Sequence, residues 1–370
     1  MRGHARSALR SEMEPIVGRA VAVSTYGPTG ASTRVRVYDW FDHLGIPSDR
    51  FEYVGTSDNQ PARLAKNIPN VCRAEVSLRA LEKRVGHVTL LLSRQASPFS
   101  SGAIEERLLR AARRGVYDFD DALKFDTGSW TRRLWSKEKV WARSVSAADV
   151  VIAGSDVLAA QAREYSDNVV MIPSCVEPRN YSPKRDYGIT SVPRAVWIGS
   201  PATEPLLRAV GEPLLELNKR FGLRIAVVSA GNTSLGRLDP MVDREQWTAA
   251  GFANCLTQAD FGIMPLNDTP YSRGKCSYKL LQYAASGLPL VGSPVGANAG
   301  VLKKLGGTAA GNNEEWIAAI GQIIEMSDAD RSLAGMKALD GVTRHFSFGA
   351  WEKQWSSAMA LGTETFDGVE

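Results

Sequence analysis

The sequence is poor in cysteine and histidine, the residues that most often build metal sites and disulfides. Its four cysteines lie far apart and form no Cys-x-x-Cys pair, so neither a zinc site nor a disulfide framework is expected. None of its four histidines belongs to a recognisable partner motif, which favours structural or exposed roles. The cysteines are Cys72, Cys175, Cys255 and Cys276.

Long apolar runs are also absent. No segment approaches about 18 consecutive apolar residues, and the N-terminus lacks the apolar core of a signal peptide. We therefore expect a cytoplasmic protein. Residues 1–18, which are rich in Arg and Glu, are predicted to form an N-terminal extension.

The charge balance excludes a further class of protein. The net charge is only +4 over 370 residues, so we expect no nucleic-acid partner. One basic stretch interleaved with tryptophan is open to two interpretations. It is either a peripheral contact with an anionic membrane or, as we favour, a helix with solvated basic residues. The stretch contains Arg132, Arg133, Trp135, Lys137, Lys139, Trp141 and Arg143.

Short apolar runs alternate with helical patterns along the whole chain. This order predicts an α/β fold with two Rossmann-like domains, each a doubly wound parallel sheet flanked by helices. The proline-rich segment 173–193 is the predicted hinge between them. The apolar runs are residues 20–23, 88–92, 115–118, 150–152, 169–172, 195–198, 223–228, 259–264 and 288–291.

Residues 273–296, RGKCSYKLLQYAASGLPLVGSPVG, carry the most informative pattern. They predict a basic loop, a helix that Gly287 ends, a short buried strand and a second loop. The first N–H groups of a helix attract an anion, and Lys275 and Lys279, one turn apart, add charge where a phosphate would bind. A solvated basic helix start beside an ordinary turn is the alternative.

This segment resembles the retaining glycosyltransferases of family 4, which have the GT-B architecture, and the resemblance covers most of the chain. In that family a helix with a spaced pair of Glu residues contacts the donor sugar and ribose, while its first amides face the diphosphate. Gly274 and Gln282 occupy the two Glu positions. The Gly-Lys-Cys-Ser-x-Lys-Leu form resembles a subgroup in which Lys replaces the acidic entrance, and Gln282 still offers a hydrogen bond.

The resemblance implies a donor site in the C-terminal half. The loop after 195–198 would approach the phosphates. It lacks the family's usual Arg and Lys, for which Arg273, Lys275 or Lys279 would substitute. Segments 228–232 and 252–254 would flank the nucleoside. The implied donor-binding residues are Gly199, Ser200, Asn232, Arg273, Gly274, Lys275, Cys276, Ser277, Tyr278, Lys279, Gln282 and Gly296.

Residues 24–37 resemble the first strand, glycine-rich loop and first helix of the same family. Two glycines allow close approach of the backbone to a ligand, and Ser32 or Thr33 is predicted to cap a helix that carries two arginines. The dinucleotide fingerprint GxGxxG is absent. A plain strand-to-helix turn is the alternative. The predicted acceptor-side or phosphate-side residues are Gly27, Gly30, Ser32, Arg34, Arg36 and Asp118.

In residues 116–123 an apolar strand ends in Asp118, Asp120 and Asp121. Carboxylates this close must be solvated, paired or bound to a cation. One hypothesis is the Asp-x-Asp metal site of the GT-A architecture. The hypothesis we favour follows the resemblance, in which a similar segment lies on the floor of the interdomain cleft, and Asp120 or Asp121 would accept the acceptor's proton. Helix capping by an aspartate is the structural alternative.

Residues 346–355 resemble the terminal helix of these enzymes, which crosses back to the N-terminal domain. Its aromatic stripe at 348, 351 and 355 is predicted to be core. The predicted parts of the chain are the extension (1–18), an acceptor-binding Rossmann-like domain (19–185), a donor-binding Rossmann-like domain (186–343) and the C-terminal helix (344–370).

The activity implied by the resemblance is transfer of a sugar, with retention of anomeric configuration, from a nucleotide diphosphate sugar to an acceptor hydroxyl or amine. A UDP-sugar is favoured, in natural-product, glycolipid or polysaccharide biosynthesis. Asp120, Asp121 and Lys275 are the predicted catalytic residues, and no cofactor or obligatory metal is expected. The partners would be the donor and a small-molecule, lipid-linked or saccharide acceptor; a homodimer is left open.

Three alternatives remain. An inactive glycosyltransferase-like subunit that binds or activates a partner enzyme is motivated by the departures at Ser200, Gly274 and Gln282. A nucleotide-sugar epimerase on the same architecture would need a set of carboxylates in the C-terminal cleft, which we do not locate in the sequence. A GT-A enzyme would depend on Mn or Mg held by Asp118 and Asp120.

Overall fold

The computed structural model describes residues 20–28, 30–54, 61–125, 136–189, 192–248 and 251–361. The chain divides into two compact units, one formed by residues 1–173 with 351–370 and the other by residues 174–350. The boundary between residues 173 and 174 therefore falls at the start of the proline-rich segment 173–193. The predicted N-terminal extension lies outside the described residues, as do Arg132, Arg133 and Trp135.

The first unit is built on a parallel sheet. Its strands are β1 (Ala20–Ser24), β2 (Ser48–Glu52), β3 (Thr89–Ser93), β4 (Arg114–Phe119), β5 (Val150–Ala153) and β6 (Val169–Met171). Within the described residues the sheet has six strands in the order β2-β1-β3-β4-β5-β6. Every residue of β1 and β3 is buried, as expected for inner strands of a parallel sheet covered on both faces.

Strand register brings polar residues together at the carboxyl edge of this sheet. Ser24 of β1 pairs with Ser93 of β3, and Ser93 pairs with Asp118 of β4. All three residues are almost fully buried. The glycine-rich loop that follows β1 and the acidic segment at the end of β4 therefore begin at paired positions along this edge of the sheet.

Helices of the first unit follow its strands. They are α1 (Ala31–Thr33), which continues as a π-helical segment (Arg34–Tyr38), α2 (Asp39–Leu44), α3 (Pro61–Ala65), α4 (Ile68–Glu82), α5 (Ala103–Ala111), α6 (Lys137–Ala147) and α7 (Asp156–Ala162). A 3-10 turn spans Leu123–Phe125. The described part of the basic stretch thus forms helix α6, in which Arg143 pairs with Glu106 of α5.

The second unit repeats the arrangement. Its strands are β7 (Arg194–Ile198), β8 (Arg224–Ser229), β9 (Val242–Gln246), β10 (Phe261–Met264), β11 (Leu290–Gly292) and β12 (Thr308–Ala309). Among the described residues these form a six-stranded sheet in the order β12-β11-β10-β7-β8-β9, with all pairs parallel. Two parallel sheets with flanking helices are the fold class that the sequence predicts.

Helices of the second unit alternate with these strands. They are α8 (Gly211–Phe221), α9 (Phe252–Thr257), α10 (Pro270–Arg273), α11 (Tyr278–Ala285), α12 (Ala297–Leu305), α13 (Asn313–Glu325) and α14 (Asp328–Phe346). Three 3-10 segments, Pro178–Asn180, Pro201–Val210 and Gly236–Met241, complete the unit's described helical structure.

Helix α11 is the helix predicted from the basic segment. Its end at Gly287 is also as predicted: Gly287 has φ +68°, its N–H donates to the Ala284 carbonyl, and the Leu288 N–H donates to the Tyr283 carbonyl. Because this turn includes Leu288 and the next residue, Pro289, has no N–H, β11 begins at Leu290 rather than at residue 288.

The last helix, α15 (Phe348–Met359), contributes residues 351–359 to the first unit. Trp355 is fully buried there and stacks on Trp40 of α2 with ring centroids 5.1 Å apart. Phe348 is also buried, so both residues have the predicted core role, whereas Trp351 is partly exposed. No helix in the described residues is long and apolar enough to cross a membrane.

Candidate functional site

The predicted donor residues lie at the carboxyl edge of the second sheet, the edge at which doubly wound sheets bind ligands. Gly199 and Ser200 directly follow β7, and Asn232 lies in the loop after β8. The loop 274–277, directly after Arg273, joins α10 to α11, and Gly296 lies in the loop after β11. Strand topology therefore brings together four loops that are far apart in sequence.

The two lysines of the basic segment lie over different aromatic rings. The Lys275 Nζ lies 4.6 Å from the centre of the Tyr271 ring, and the Lys279 Nζ lies 5.3 Å from that of Trp197. A Cβ atom added at Gly199 would lie 2.9 Å from the Lys279 Cε and 2.5 Å from the Trp197 ring. Lys279 is therefore the lysine whose stem packs against the loop after β7, and only glycine fits at 199.

Arg273, the third predicted cation, ends α10 and forms an ion pair with Asp268, which lies just before that helix. Its Nε and Nη2 donate to the two carboxylate oxygens of Asp268 at 2.6 and 2.9 Å. Both side chains are more than half exposed, and the hydrogen bond from Arg273 lowers the pKa of Asp268. Arg273 also limits its neighbour Gly296, because a Cβ atom at Gly296 would lie 2.0 Å from the Arg273 carbonyl oxygen.

Ser277 precedes α11 and has φ +59°, an uncommon conformation for a residue other than glycine. Its Oγ donates to the Asn298 Oδ1 at 2.6 Å rather than capping the helix, and the residue is 1% exposed. Asn298 in turn donates from Nδ2 to the Ser293 carbonyl at 3.0 Å. The Ser277 side chain therefore forms a buried hydrogen bond at the helix start, and the place of Ser277 in donor binding stays a prediction.

The other residues of the basic segment differ in exposure. Gln282 is 6% exposed, and Gly274 ends α10 and carries no side chain. Tyr278 packs against the hydrophobic core, and Cys276 is partly exposed with its Sγ 3.9 Å from the Gly274 carbonyl oxygen. Of positions 274 and 282, only 282 has a side chain able to hydrogen-bond.

At the carboxyl edge of the first sheet, Arg36 and Asp118 form a buried ion pair. The Arg36 Nε and Nη2 donate to the Asp118 Oδ1 and Oδ2 at 3.1 and 2.6 Å, and Nη1 donates to the Ile172 carbonyl at 2.9 Å. Both side chains are 1% exposed. Burial raises the pKa of Asp118, and the Arg36 guanidinium opposes that rise. Both Asp118 oxygens therefore accept hydrogen bonds from Arg36, whereas the GT-A hypothesis assigns Asp118 to a metal ion.

Arg94, which follows β3, is the residue of this edge that the sequence analysis missed. It has φ +62°, its N–H donates to the Asp118 carbonyl, and its own carbonyl accepts from the Tyr117 hydroxyl. Its guanidinium donates to the Ser32 Oγ at 2.9 Å and lies 3.6 and 3.0 Å from carboxylate oxygens of Asp120 and Asp121. One arginine thus joins both predicted carboxylates to the glycine-rich segment.

The glycine-rich loop differs from its predicted form in one respect. Helix α1 begins at Ala31 directly after Gly30, so Ser32 and Thr33 lie inside the helix and are not its caps. A Cβ atom at Gly30 would lie 2.7 Å from the Tyr26 Cβ, and the Gly30 N–H donates to the Gly27 carbonyl at 2.9 Å. The Gly30 N–H therefore closes a tight turn onto Gly27, and the Ser32 hydroxyl accepts a hydrogen bond from Arg94.

Among the described residues, no group of three or more His, Cys, Asp and Glu side chains is arranged to hold a metal ion. Asp118 at the end of β4 and Asp120 and Asp121 just after it are ion-paired with arginines.

No protein-family model and no curated protein matches this sequence. Solved structures do. The sucrose-phosphate synthase of Thermosynechococcus elongatus is 14% identical, with a TM-score of 0.68 over 91% of this chain and 97% of that one. WaaG, a glycosyltransferase involved in lipopolysaccharide biosynthesis, is 13% identical, with a TM-score of 0.66 over 93% of this chain and 100% of WaaG.

HepE of Anabaena, solved in complex with UDP and glucose, is 13% identical, with a TM-score of 0.65 over 93% of this chain and 100% of HepE. These structural neighbours have the fold of GT-B glycosyltransferases. At such low identities the likeness establishes the fold, and it confirms the predicted fold class.

Proposed function

We propose that the protein is a glycosyltransferase that moves a sugar from a nucleotide diphosphate sugar, with UDP as the favoured nucleotide, to an acceptor hydroxyl or amine with retention of configuration. The observation that carries the proposal is the start of α11. There a left-handed Ser277 directs its side chain away from the helix amides, and Lys279 lies beside Gly199.

The diphosphate is the part of the donor that this edge suits best. A helix N-terminus whose preceding side chain does not cap it favours an anion, both through its amides and through its dipole. Lys275 and Lys279 add two positive charges within the same segment. During transfer the leaving diphosphate gains negative charge, which fixed cations and amides stabilise in the transition state.

Asp120 and Asp121 are the groups we assign to the acceptor. Either carboxylate would take the proton of the attacking hydroxyl, directly or through water. Arg94 is assigned the role of holding both carboxylates in place, and the Arg36–Asp118 pair that of fixing the end of β4. Neighbouring structures bound to UDP support the choice of nucleotide.

The proposal is tested by thermal stabilisation of the full chain with UDP-, GDP- and dTDP-sugars, in the presence and absence of a chelator. We expect a selective shift without metal that Lys279→Ala abolishes and Lys275→Ala reduces. Lys303→Ala, at an exposed position on α12 of the same unit, is the matched control and should leave the shift unchanged. No shift with any donor would contradict the proposal.

A second candidate function, that of a catalytically inactive subunit, is favoured by two observations. Gly274 has no side chain at a position where the family carries Glu, and Gln282 is only 6% exposed. Selective donor binding without release of free nucleotide in the presence of any acceptor would support this candidate over an active enzyme.

A further inference from the structure

Glu204 and Arg244 form an ion pair at the carboxyl edge of the second sheet. Glu204, in the 3-10 segment after β7, is fully buried, and its Oε2 lies 3.0 Å from the Arg244 Nη1. Arg244 belongs to the edge strand β9 and is 27% exposed. Neither residue belongs to a motif recognised in the sequence.

The same arginine also holds the loop after β8. Its Nη1 donates to the Gly231 carbonyl at 3.3 Å, and its Nη2 donates to the Thr233 carbonyl. Since Glu204 follows β7 and Arg244 lies on β9, this single pair fixes the loop after β8 against the segments on both sides of it. That loop contains Asn232, a predicted donor-binding residue.

Gly231 is in close contact with this pair. A Cβ atom at Gly231 would lie 2.4 Å from the Glu204 Oε1 and 2.9 Å from the Pro201 Cβ. The backbone of the loop therefore rests directly on the buried carboxylate. Within the described residues the Glu204 Oε1 has no hydrogen-bond partner.

A pair of this kind is a poor means of stabilising a fold. Burying charges costs desolvation energy, and an apolar pair of similar volume is often as stable. A buried carboxylate oxygen without a hydrogen bond adds to that cost. What the pair supplies is a defined backbone shape for three adjacent segments, which a purely apolar contact specifies less well.

The segment after β9 belongs to the same neighbourhood. The Trp247 N–H donates to the Ser229 carbonyl at 3.1 Å, and the Trp247 ring stacks on Phe252 with centroids 6.1 Å apart. The segment after β9 is thus joined to the end of β8, directly before the loop held by Arg244, and it carries a stacked aromatic pair of the kind to which the flat base of a nucleotide is suited.

We infer that the Glu204–Arg244 pair positions the nucleoside end of the donor site, by holding the loop at Gly231 and Asn232 in the shape that receives the base of a nucleotide diphosphate. The inference rests on the proposed function. Both residues are positioning residues that act through the loop backbone.

Isothermal titration of the full chain with UDP and with ADP tests this inference. We expect Arg244→Gln to weaken UDP binding by about tenfold or more and to reduce the preference for UDP over ADP. Arg244→Lys, which keeps the charge beside Glu204, should recover part of both. The matched control is Arg237→Gln, because Arg237 pairs with Glu212 at 2.6 Å on the exposed surface of the same unit.

Gly231→Ala provides a second route that leaves both charges in place, and it should also weaken UDP binding and reduce the base preference. If wild type binds UDP and folded Arg244→Gln and Gly231→Ala bind it as the control does, the inference is overturned while the proposed function stands. If Arg244→Gln does not fold, Arg244→Lys and Gly231→Ala decide by the same criterion. If wild type binds no nucleotide diphosphate, both fail.

Discussion

The carboxyl edges of the two sheets are built by different means. In the first unit arginines bind the aspartates at the end of β4 and just after it, as in the Arg36–Asp118 pair and the contacts of Arg94. In the second unit the start of α11 instead combines a left-handed serine, close glycine contacts and lysines lying over aromatic rings, and the arginine pair of this edge, Glu204–Arg244, holds the separate loop after β8. Arginine pairing holds carboxylates in fixed positions, as the proposed proton transfer would need, whereas lysines at a helix start are suited to an anion.

Breaking the buried pair of the first edge should have the largest effect. Arg36→Ala leaves the Asp118 carboxylate buried without its partner, and we expect a loss of about 3–5 kcal/mol in the free energy of unfolding. Denaturant unfolding of the full chain measures it. Arg50→Ala removes the exposed pair with Asp42 in the same unit and should cost about 0–1 kcal/mol. Equal effects of the two substitutions would contradict this account of the first edge.

At the second edge, Gly296→Ala should have the next largest effect. The alanine would be held at φ +57° with its Cβ 2.0 Å from the Arg273 carbonyl oxygen, so we expect a loss of about 3 kcal/mol and weaker donor binding. Gly211→Ala, at a helical position with open space around it, should instead be neutral or stabilise by about 0.5–1 kcal/mol. Thermal unfolding with and without UDP measures the stability and the UDP binding of both variants.

Asn298→Ala tests whether the start of α11 is positioned through Ser277. Loss of the bonds to Ser277 and to the Ser293 carbonyl should cost about 1–3 kcal/mol and weaken UDP binding. Asn312→Ala is the control, since Asn312 caps α13 in the ordinary way and should cost about 1 kcal/mol. If Asn298→Ala binds UDP as tightly as wild type does, the hydrogen bond between Asn298 and Ser277 does not position the donor site.

Arg94→Gly should have the smallest effect on stability. Glycine accepts φ +62° readily, so the change in the free energy of unfolding should stay within about 1 kcal/mol although the guanidinium contacts are lost. We expect donor binding to persist and nucleotide release in the presence of acceptor to fall. If Arg94→Gly releases nucleotide at the wild-type rate in the presence of acceptor, Arg94 has no role in the acceptor site.

The inner strands were predictable because burial on both faces of a sheet gives them apolar sequences. Helix α11 was predictable because most of its residues are buried and apolar. The edge strands β2 and β9 were not, since SDRFE and VDREQ are polar segments whose residues are mostly half-exposed. They pair through backbone hydrogen bonds, which leave little trace in the sequence. The motifs of the candidate site were recognised in the same way, from glycines, lysines and aspartates close together in the chain.

The contacts that organise these motifs were beyond sequence reasoning. Arg36 and Asp118 lie far apart in the chain and meet through strand order and register. Nothing local marks Arg94 or Ser277 as left-handed, because long-range hydrogen bonds hold both conformations. Glu204 and Arg244 are likewise ordinary charged residues until the fold buries one of them.

Hydrogen exchange on the full chain, with and without a saturating UDP-sugar, tests most directly whether the second edge is the donor site. Amides that a ligand covers or orders exchange more slowly. The account predicts protection at residues 275–280 and 230–233, with little change at residues 94–97 and 118–121 in the absence of acceptor. Donor-dependent protection confined to the first edge, or absent from both, would contradict it.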